Sequence, residues 1–382
     1  MTLDVFRVGS QLAAMGQELR DHREARAARL SAARGVFARL SDDWERMASA
    51  ARSGDRSGAA PLGPLSSASD RGAAPPSYLV MATDGSTIEP DRHGPAMCAL
   101  VNIGRARIRY GDAPEAELDS EPILYFRREE LFIEQGGRRV LLRQRLLDAR
   151  RSVLEMEALS EMARDANPLA LPSVALADGL LTIWREDWAT QDGDEVIAQF
   201  NRALARIADV KLPLAAYVSN PSSHWVVDLL RSAVQCVKGC GALCQETGCV
   251  FGGLVDAELY RFLQPGQAST LFEVVGPDQH RYDERVRSHF FYLNVGREIV
   301  RVEVPAWVAR DEDARRLVHN VVFDQAERGL GYPVALARAH EQAVISGRDR
   351  LAFQQLVIES LTRAGLGAGV SEKQASKTLR AV

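Results

Sequence analysis

The chain has few cysteines, no long apolar run and no excess of positive charge. Five cysteines in 382 residues do not make the disulfide framework of a small secreted protein, so we expect a reducing, cytoplasmic environment. No run of about eighteen apolar residues is present, which argues against a membrane-spanning helix. The opening residues, MTLDVFRVGS, lack the pattern of a signal peptide. A net charge of −4 limits any nucleic-acid contact to a local patch.

The remaining composition allows a folded core, because 46% of the residues are hydrophobic and 26% are charged. Residues 1–50 are rich in Ala, Leu and Arg and predict one or two amphipathic helices. Residues 51–77 consist mainly of Gly, Pro, Ser and Ala, which predicts a flexible linker. Residues 78–361 form the main body, and residues 362–382 are a C-terminal tail.

The main body predicts an α/β fold with a mixed sheet flanked by helices. Three strand patterns come first, followed by a helix, a strand, a helix and another strand. The leading strands are predicted at 78–83, 95–110 and 121–126, the first helix at 139–165 and the fourth strand at 173–177. This order is also that of the ribonuclease H-like fold, in which carboxylates lie on the first strand, the first helix and the end of the fourth strand.

Two aspartates follow predicted strands, and ligands of such sheets gather just outside strand ends. Asp84 follows the first strand and Asp178 follows the fourth. On the helix between them, the apolar stripe has Glu157 and Glu161 in its middle, whereas Glu155 falls outside it. Because a carboxylate on a buried face needs a partner or a metal, Glu157 is the predicted third acid, with Glu161 as the alternative.

Three converging carboxylates repel each other, and a divalent cation relieves that repulsion. Hard oxygen ligands favour Mg²⁺ or Mn²⁺, which would support phosphodiester cleavage by water. The simpler interpretation is that each Asp-Gly pair is a turn, which is its commonest role. The two aspartates bracketing a helix with inward-facing glutamates favour the metal site.

The segment GLGYPVALARAHEQAVISGRDR, at residues 329–350, carries a histidine on the predicted apolar face of a helix. His340 is a candidate nitrogen ligand of the metal or a proton-transfer group, although most histidines on such faces are hydrogen-bonded core residues. Tyr332 lies just before the helix and is expected to reach the same cleft.

Several stretches together resemble the NurA family of DNA-end-processing nucleases. They are, in order, ATDGSTI (82–88), VNIGRARIRYG (101–111), VALADGLLTIW (174–184), LPLAAYVSNPSSHWVVDLLR (212–231), HFFYLNVGREIVRVEVPAWVA (289–309) and GYPVALARAHEQAVIS (331–346). Their order, and the Gly-Tyr-Pro followed by a histidine, make the match specific over about residues 78–361.

The resemblance implies a manganese-dependent, single-strand 5′→3′ exonuclease and endonuclease that acts in the resection of DNA double-strand breaks. It also implies a homodimer that binds a HerA-type hexameric translocase. Carried over by position, Asp84 and Asp178 match the metal-binding aspartates of the family, and Tyr332 and His340 match its C-terminal active-site pair. Glu157 matches the helical glutamate less securely, because a variable loop precedes Asp178.

A cysteine cluster falls outside the family pattern. Four of the five cysteines lie within fourteen residues, at Cys236, Cys240, Cys244 and Cys249. Four thiolates suit structural zinc or an iron–sulfur cluster, but this spacing matches neither the common zinc pairs nor the ferredoxin run. Small buried thiols at a helix end are the alternative.

Arginines alternate along the second strand and therefore share one face of the sheet. Arg105, Arg107 and Arg109 are candidates for contacts with a DNA backbone. Alternatively they form a solvated sheet face with acidic partners, for which Glu115 and Glu117 are available.

The sequence thus predicts a metal-dependent deoxyribonuclease in which Asp84, Glu157, Asp178 and His340 hold Mn²⁺ or Mg²⁺ and Tyr332 orients the substrate. The alternative is a catalytically weak adaptor that binds DNA or a motor ATPase through the same fold. A ribonuclease or Holliday-junction nuclease is a third possibility, and only the family resemblance argues against it.

Overall fold

The computed structural model describes residues 4–135, 138–142, 144–166, 171–183, 191–234 and 249–366. The chain divides into two compact units. The first is drawn from residues 1–71, 218–279 and 289–302, and the second from 72–217, 280–288 and 303–382. The predicted single body at 78–361 therefore contributes to both units.

Helices and strands are each numbered in chain order. The helices are α1 (Val5–Leu40), α2 (Trp44–Arg52), α3 (Arg128–Leu131), α4 (Gln144–Ala166), α5 (Gln191–Asp209), α6 (Trp225–Ala233), α7 (Asp256–Leu259), α8 (Ala306–Ala309), α9 (Glu312–Arg328), α10 (Val334–Ala343) and α11 (Gly347–Arg363). The strands are β1 (Gly58–Pro61), β2 (Ala68–Ser69), β3 (Tyr78–Ile88), β4 (Ala99–Tyr110), β5 (Glu115–Tyr125), β6 (Phe132–Gln135), β7 (Arg138–Leu141), β8 (Ser173–Asp178), β9 (Leu214–Val218), β10 (Ala268–Ser269), β11 (Phe272–Val275), β12 (Ser288–Asn294) and β13 (Ile299–Pro305).

The second unit is built on a mixed sheet in the order β9–β8–β3–β4–β5. β3, β4 and β5 form an antiparallel meander, whereas β8 runs parallel to β3 and β9 runs parallel to β8. β3 is therefore central in this part of the sheet. β4 and β5 lie on one side of it, and β8 and β9 lie on the other. This arrangement confirms the predicted ribonuclease H-like α/β fold.

The central position of β3 explains its composition, because it is buried from Tyr78 through Gly85 and thus on both faces. β8 is likewise buried from Ser173 through Ala177. α4 and α5 contribute apolar side chains to one core together with β3, β4 and β8. On α5 these side chains recur at helical spacing, at Val196, Ile197, Phe200, Ala203, Leu204 and Ile207.

The segment 51–77, predicted to be a flexible linker, contains two short paired strands. In the first unit, β1 pairs antiparallel with β11, and β2 pairs with β10. Leu65 between them is fully buried, and Ala60 packs against Ala48 of α2. Small side chains permit this close contact between helix and strand, so a composition typical of disorder here reflects tight packing.

The helix predicted at residues 139–165 begins later in the structure. Arg138–Leu141 form β7, which pairs with β6 in a two-stranded sheet, and α4 begins at Gln144.

In the first unit, residues 5–40 form one helix of 36 residues. Among the described helices, none has the length and apolar character needed to cross a membrane.

Candidate active site

Asp84 lies inside β3 and not at its end. The strand continues to Ile88 because β4 pairs with it along its whole length, with Asp84 opposite Gly104. The Asp84 side chain is 12% exposed, and it lies on the face of the sheet that packs against α10. The predicted strand end at Asp84 is therefore wrong, although the carboxylate still interrupts the apolar run.

Asp178 lies beside Asp84 on the neighbouring strand. β3 and β8 are paired in parallel up to Thr83 and Ala177, so the two aspartates are the next residues along adjacent strands. Burial raises the pKa of Asp178, and the charge of Asp84 raises it further. The two carboxylates thus share one small region, as the sequence predicts.

The glutamate of α4 that reaches this region is Glu155, not Glu157. Glu155 Oε1 lies above Gly85, where a Cβ atom would approach it to 2.6 Å, and the side chain is 16% exposed. Burial raises the pKa of Glu155 to about 8; Arg151 opposes the shift, while Asp84 and Asp178 reinforce it.

Glu157 and Glu161 have other neighbours. The charge of Glu157 acts on Tyr125 of β5, and that of Glu161 acts on Arg105 of β4. The prediction failed because α4 buries a wide face against both the sheet and α5. The centre of its apolar stripe therefore does not point at Asp84.

Arg151 supplies positive charge to the acidic site and was missed by sequence reasoning. It precedes Glu155 by one helical turn, and its Nη1 lies 3.1 Å from Glu155 Oε1 and 3.9 Å from Asp84 Oδ1. The same Nη1 donates to the Gly85 carbonyl oxygen at 2.9 Å. The signal in the sequence is an Arg–Glu pair at i,i+4 spacing, which places both side chains on one helix face.

His340 contacts Asp84 directly, with Nδ1 2.6 Å from Asp84 Oδ2. Its side chain is 64% exposed, so it does not lie at the centre of a buried face as predicted. The buried residues of α10 are Ala335, Leu336, Ala339 and Ala343. His340 stands at the edge of that set, where it reaches both Asp84 and solvent.

The close approach of α10 to the sheet depends on a glycine. A Cβ atom on Gly104 would lie 2.5 Å from the Ala343 amide nitrogen. Two polar side chains of the sheet bind the C-terminal end of α10. Ser86 and Asn102 both donate a hydrogen bond to the Ala343 carbonyl oxygen. These contacts satisfy a helix-terminal carbonyl and fix the helix that carries His340.

Tyr332 lies on the Asp178 side of the site, and its hydroxyl lowers the pKa of that carboxyl. Burial raises the pKa of Tyr332, and Asp178 and Asp84 raise it further. The Tyr217 hydroxyl donates to the Gly331 carbonyl oxygen at 2.8 Å, and the Tyr217 and Tyr332 rings meet edge to face. The segment before α10 is thereby held against β9.

The donor set fits a divalent cation in its chemistry. Asp84, Glu155 and Asp178 offer carboxylate oxygens and His340 an imidazole nitrogen. Glu155 Oε1 is buried and accepts no hydrogen bond within the described residues, as expected of an oxygen reserved for a ligand. As they stand, however, no three His, Cys, Asp or Glu side chains of the described ranges are arranged to hold an ion.

The arginines predicted to contact DNA lie opposite acidic residues of the neighbouring strand. Arg105 Nε contacts Asp119 at 2.6 Å and Arg107 Nη1 contacts Glu117 at 3.3 Å, so the alternative of acidic partners on β5 accounts for both arginines. Arg109 is paired in register with Glu115. Cys236, Cys240 and Cys244 lie outside the described residues, and Cys249 is buried.

The residues of the site, from Asp84 to His340, all fall inside one family match. The family model of the NurA domain matches residues 78–345. The chain belongs to the NurA family. The predicted family resemblance is therefore confirmed, and family membership together with the fold supports a nuclease role.

Solved structures similar to this chain include two NurA crystal structures at 10% sequence identity. A crystal structure of NurA with manganese has a TM-score of 0.42 and covers 77% of this chain and 90% of that one. A crystal structure of NurA has a TM-score of 0.39 and covers 84% and 95%. LC9-RNase H1, a type 1 RNase H with the type 2 active-site motif, is 12% identical, with a TM-score of 0.23 and coverage of 43% and 74%. No curated protein matches the chain.

Proposed function

We propose that this NurA-family protein is a metal-dependent deoxyribonuclease with Asp84, Glu155, Asp178 and His340 as the ligands of Mn²⁺ or Mg²⁺. The observation that carries the proposal is the buried Glu155 oxygen that accepts no hydrogen bond from the described residues, beside two further carboxylates. Grouped buried acids are costly in a fold unless a cation offsets them, which favours a binding role over a structural one.

The bound ion would lower the pKa of a water molecule and stabilise the leaving oxygen in phosphodiester cleavage. The protein itself supplies orientation. Asp84 contacts His340 Nδ1 and thereby orients the imidazole ring. Tyr332 keeps its proton, because its pKa is raised, and its hydroxyl favours the ionised form of Asp178.

The type of cleavage, its polarity and the partner protein are inferred from membership of the NurA family. We propose single-strand 5′→3′ exonuclease and endonuclease activity, acting in the cytoplasm on the DNA ends of double-strand breaks with a HerA-type translocase. Manganese is named for one NurA protein of similar fold. Magnesium is the alternative ion, since both prefer oxygen ligands. For zinc or an iron–sulfur cluster, Cys249 is the sole member of the cysteine cluster among the described residues, so those groups stay predictions.

We also propose a homodimer, with α1 as a candidate contact. Val5, Leu12, Met15 and Leu19 lie along one side of this helix at nearly heptad spacing and are 49–58% exposed. Such a stripe favours pairing with another helix of the same pattern. Isologous pairing of two copies would bury the stripe on both.

The experiment is cleavage of end-labelled single-stranded DNA in Mn²⁺, in Mg²⁺ and in EDTA, with wild type beside Asp84→Ala. Cleavage that needs the ion and is lost with the substitution, in a variant that keeps the circular-dichroism spectrum of wild type, supports the nuclease. Absence of cleavage by folded, Mn²⁺-loaded wild type, also in the presence of a HerA-type partner, contradicts it.

A further inference from the structure

Arg151 is bound to the acidic site in an unusual way. A single nitrogen, Nη1, lies near three oxygens, those of Glu155, Asp84 and the Gly85 carbonyl. Its Nε is buried and donates to no atom of the described residues; it lies 4.0 Å from Asp148 Oδ1. The guanidinium is therefore held by the summed negative charge more than by a complete set of hydrogen bonds.

An arginine that serves only the fold looks different in the same chain. In the first unit, Arg26 binds Glu258 through two parallel hydrogen bonds, from Nε at 3.0 Å and from Nη2 at 2.9 Å. That fork geometry satisfies both partners and is the strong arrangement for an arginine–carboxylate pair. Arg151 makes no such fork with Glu155, whose Oε1 accepts no hydrogen bond from it.

Arg151 also occupies space beside the proposed metal ligands. Its guanidinium lies between Asp84 and Glu155, the two acids nearest to it. The absence of a side chain on Gly85 gives it room there, since a Cβ atom would lie 2.7 Å from Arg151 Cγ. With 29% of its side chain exposed, it has a route out to solvent.

We propose that Arg151 is a positioning residue that occupies the metal site as its resident counter-ion and is displaced when a divalent cation binds. The inference rests on the metal site of the proposed function. The guanidinium offsets the repulsion between Asp84 and Glu155 in the metal-free protein and competes with the ion. It therefore stabilises the metal-free fold and weakens metal binding.

The test is Mn²⁺ binding by the full-length protein at pH 8, followed by the electron paramagnetic resonance signal of free Mn²⁺. Wild type is compared with Arg151→Gln, Arg151→Lys and Arg150→Gln. Arg150→Gln is the matched control: it removes the same charge from the neighbouring position of α4. Arg150 instead donates to the Glu130 carbonyl oxygen and stacks on Tyr125.

Arg151→Gln is expected to bind Mn²⁺ about tenfold more tightly than wild type, because one competing charge within roughly 4 Å of the ligands is removed. Its metal-free melting temperature should fall by a few degrees, and Mn²⁺ should restore it. Arg151→Lys should lie between the two, and Arg150→Gln should match wild type in affinity.

Two results would overturn the inference. Unchanged affinity in Arg151→Gln makes Arg151 an ordinary ion pair, and weaker affinity makes it a support of the metal ligands; in both cases the wild-type site stands. If neither wild type nor any variant binds Mn²⁺, the metal site of the proposed function fails as well.

Discussion

Each of the two units buries a carboxylate, and the two carboxylates differ in the hydrogen bonds that they accept. In the first unit, Asp256 is fully buried and accepts hydrogen bonds from the Ser223 hydroxyl at 2.9 Å, the Tyr292 hydroxyl at 2.8 Å and the Val227 amide at 2.9 Å. In the second unit, Glu155 Oε1 accepts none from the described residues. Burial raises the pKa of both acids.

The difference shows that burial and a raised pKa do not by themselves indicate a functional site. Asp256 accepts hydrogen bonds from an amide in the first turn of α6 and from two hydroxyl groups, so both of its carboxylate oxygens are engaged. Glu155 Oε1 has an ion pair with Arg151 but accepts no hydrogen bond from the described residues, and it lies next to Asp84 and Asp178. The state of the hydrogen bonds, more than the burial, distinguishes a structural carboxylate from a candidate ligand.

The largest effect on stability is expected at Asp256. Asp256→Ala should lower the free energy of unfolding by about 3–5 kcal/mol, because two hydroxyls and an amide lose a buried acceptor. Near pH 4.5, where folded Glu155 still carries its proton, Glu155→Gln should change it by less than about 1 kcal/mol, since no hydrogen bond is lost there. Urea unfolding in EDTA measures both. Equal losses would remove the distinction between the two acids.

The next effect concerns the contact that brings His340 to Asp84. Gly104→Ala places a methyl group against the α10 backbone and should cost about 1–3 kcal/mol of stability. It should also reduce the cleavage rate by roughly a hundredfold, because His340 is moved. Gly58→Ala, where no atom lies within 4 Å of the added Cβ, is the control. Wild-type activity in a folded Gly104→Ala protein would argue against a role for His340.

The smallest effect is the pH dependence of the metal-free protein. The pKa of Glu155 rises from 4.5 to about 8 on folding, so between these values the folded state holds a proton that the unfolded chain releases. Stability should therefore fall as pH rises through this window, by on the order of 1–3 kcal/mol. Denaturation in EDTA at several pH values measures the slope.

Glu155→Gln is the control for that slope, because it removes this titration and leaves that of Asp256. The difference between the wild-type and variant curves isolates Glu155. Parallel curves would show that Glu155 is ionised in the folded protein like an ordinary surface acid.

Much of the fold follows from the sequence, because strand order along the chain and burial patterns carry it. The sequence predicted the strand that precedes Asp84 and the strand that precedes Asp178, and the parallel pairing of β3 with β8 places the two aspartates side by side. The strands within residues 58–69 could not be predicted from the sequence, because short strands of small residues have the same composition as a flexible linker.

The acid on α4 could not be predicted from helical periodicity alone. The apolar stripe reports total burial, and α4 is buried by α5 as well as by the sheet. The position of Glu155 depends on a missing side chain, at Gly85, and on the nearby Arg151. Both are visible in the sequence only once β3 and α4 are known to be in contact.

The most direct test of the proposed site is Mn²⁺-dependent cleavage of end-labelled single-stranded DNA by Glu155→Gln and Glu157→Gln. The two variants make the same chemical change two residues apart on α4. We predict that Glu155→Gln cleaves at least about a thousandfold more slowly than wild type, because an ion ligand is lost, and that Glu157→Gln stays within about threefold. An inactive Glu157→Gln beside an active Glu155→Gln would contradict the proposed site.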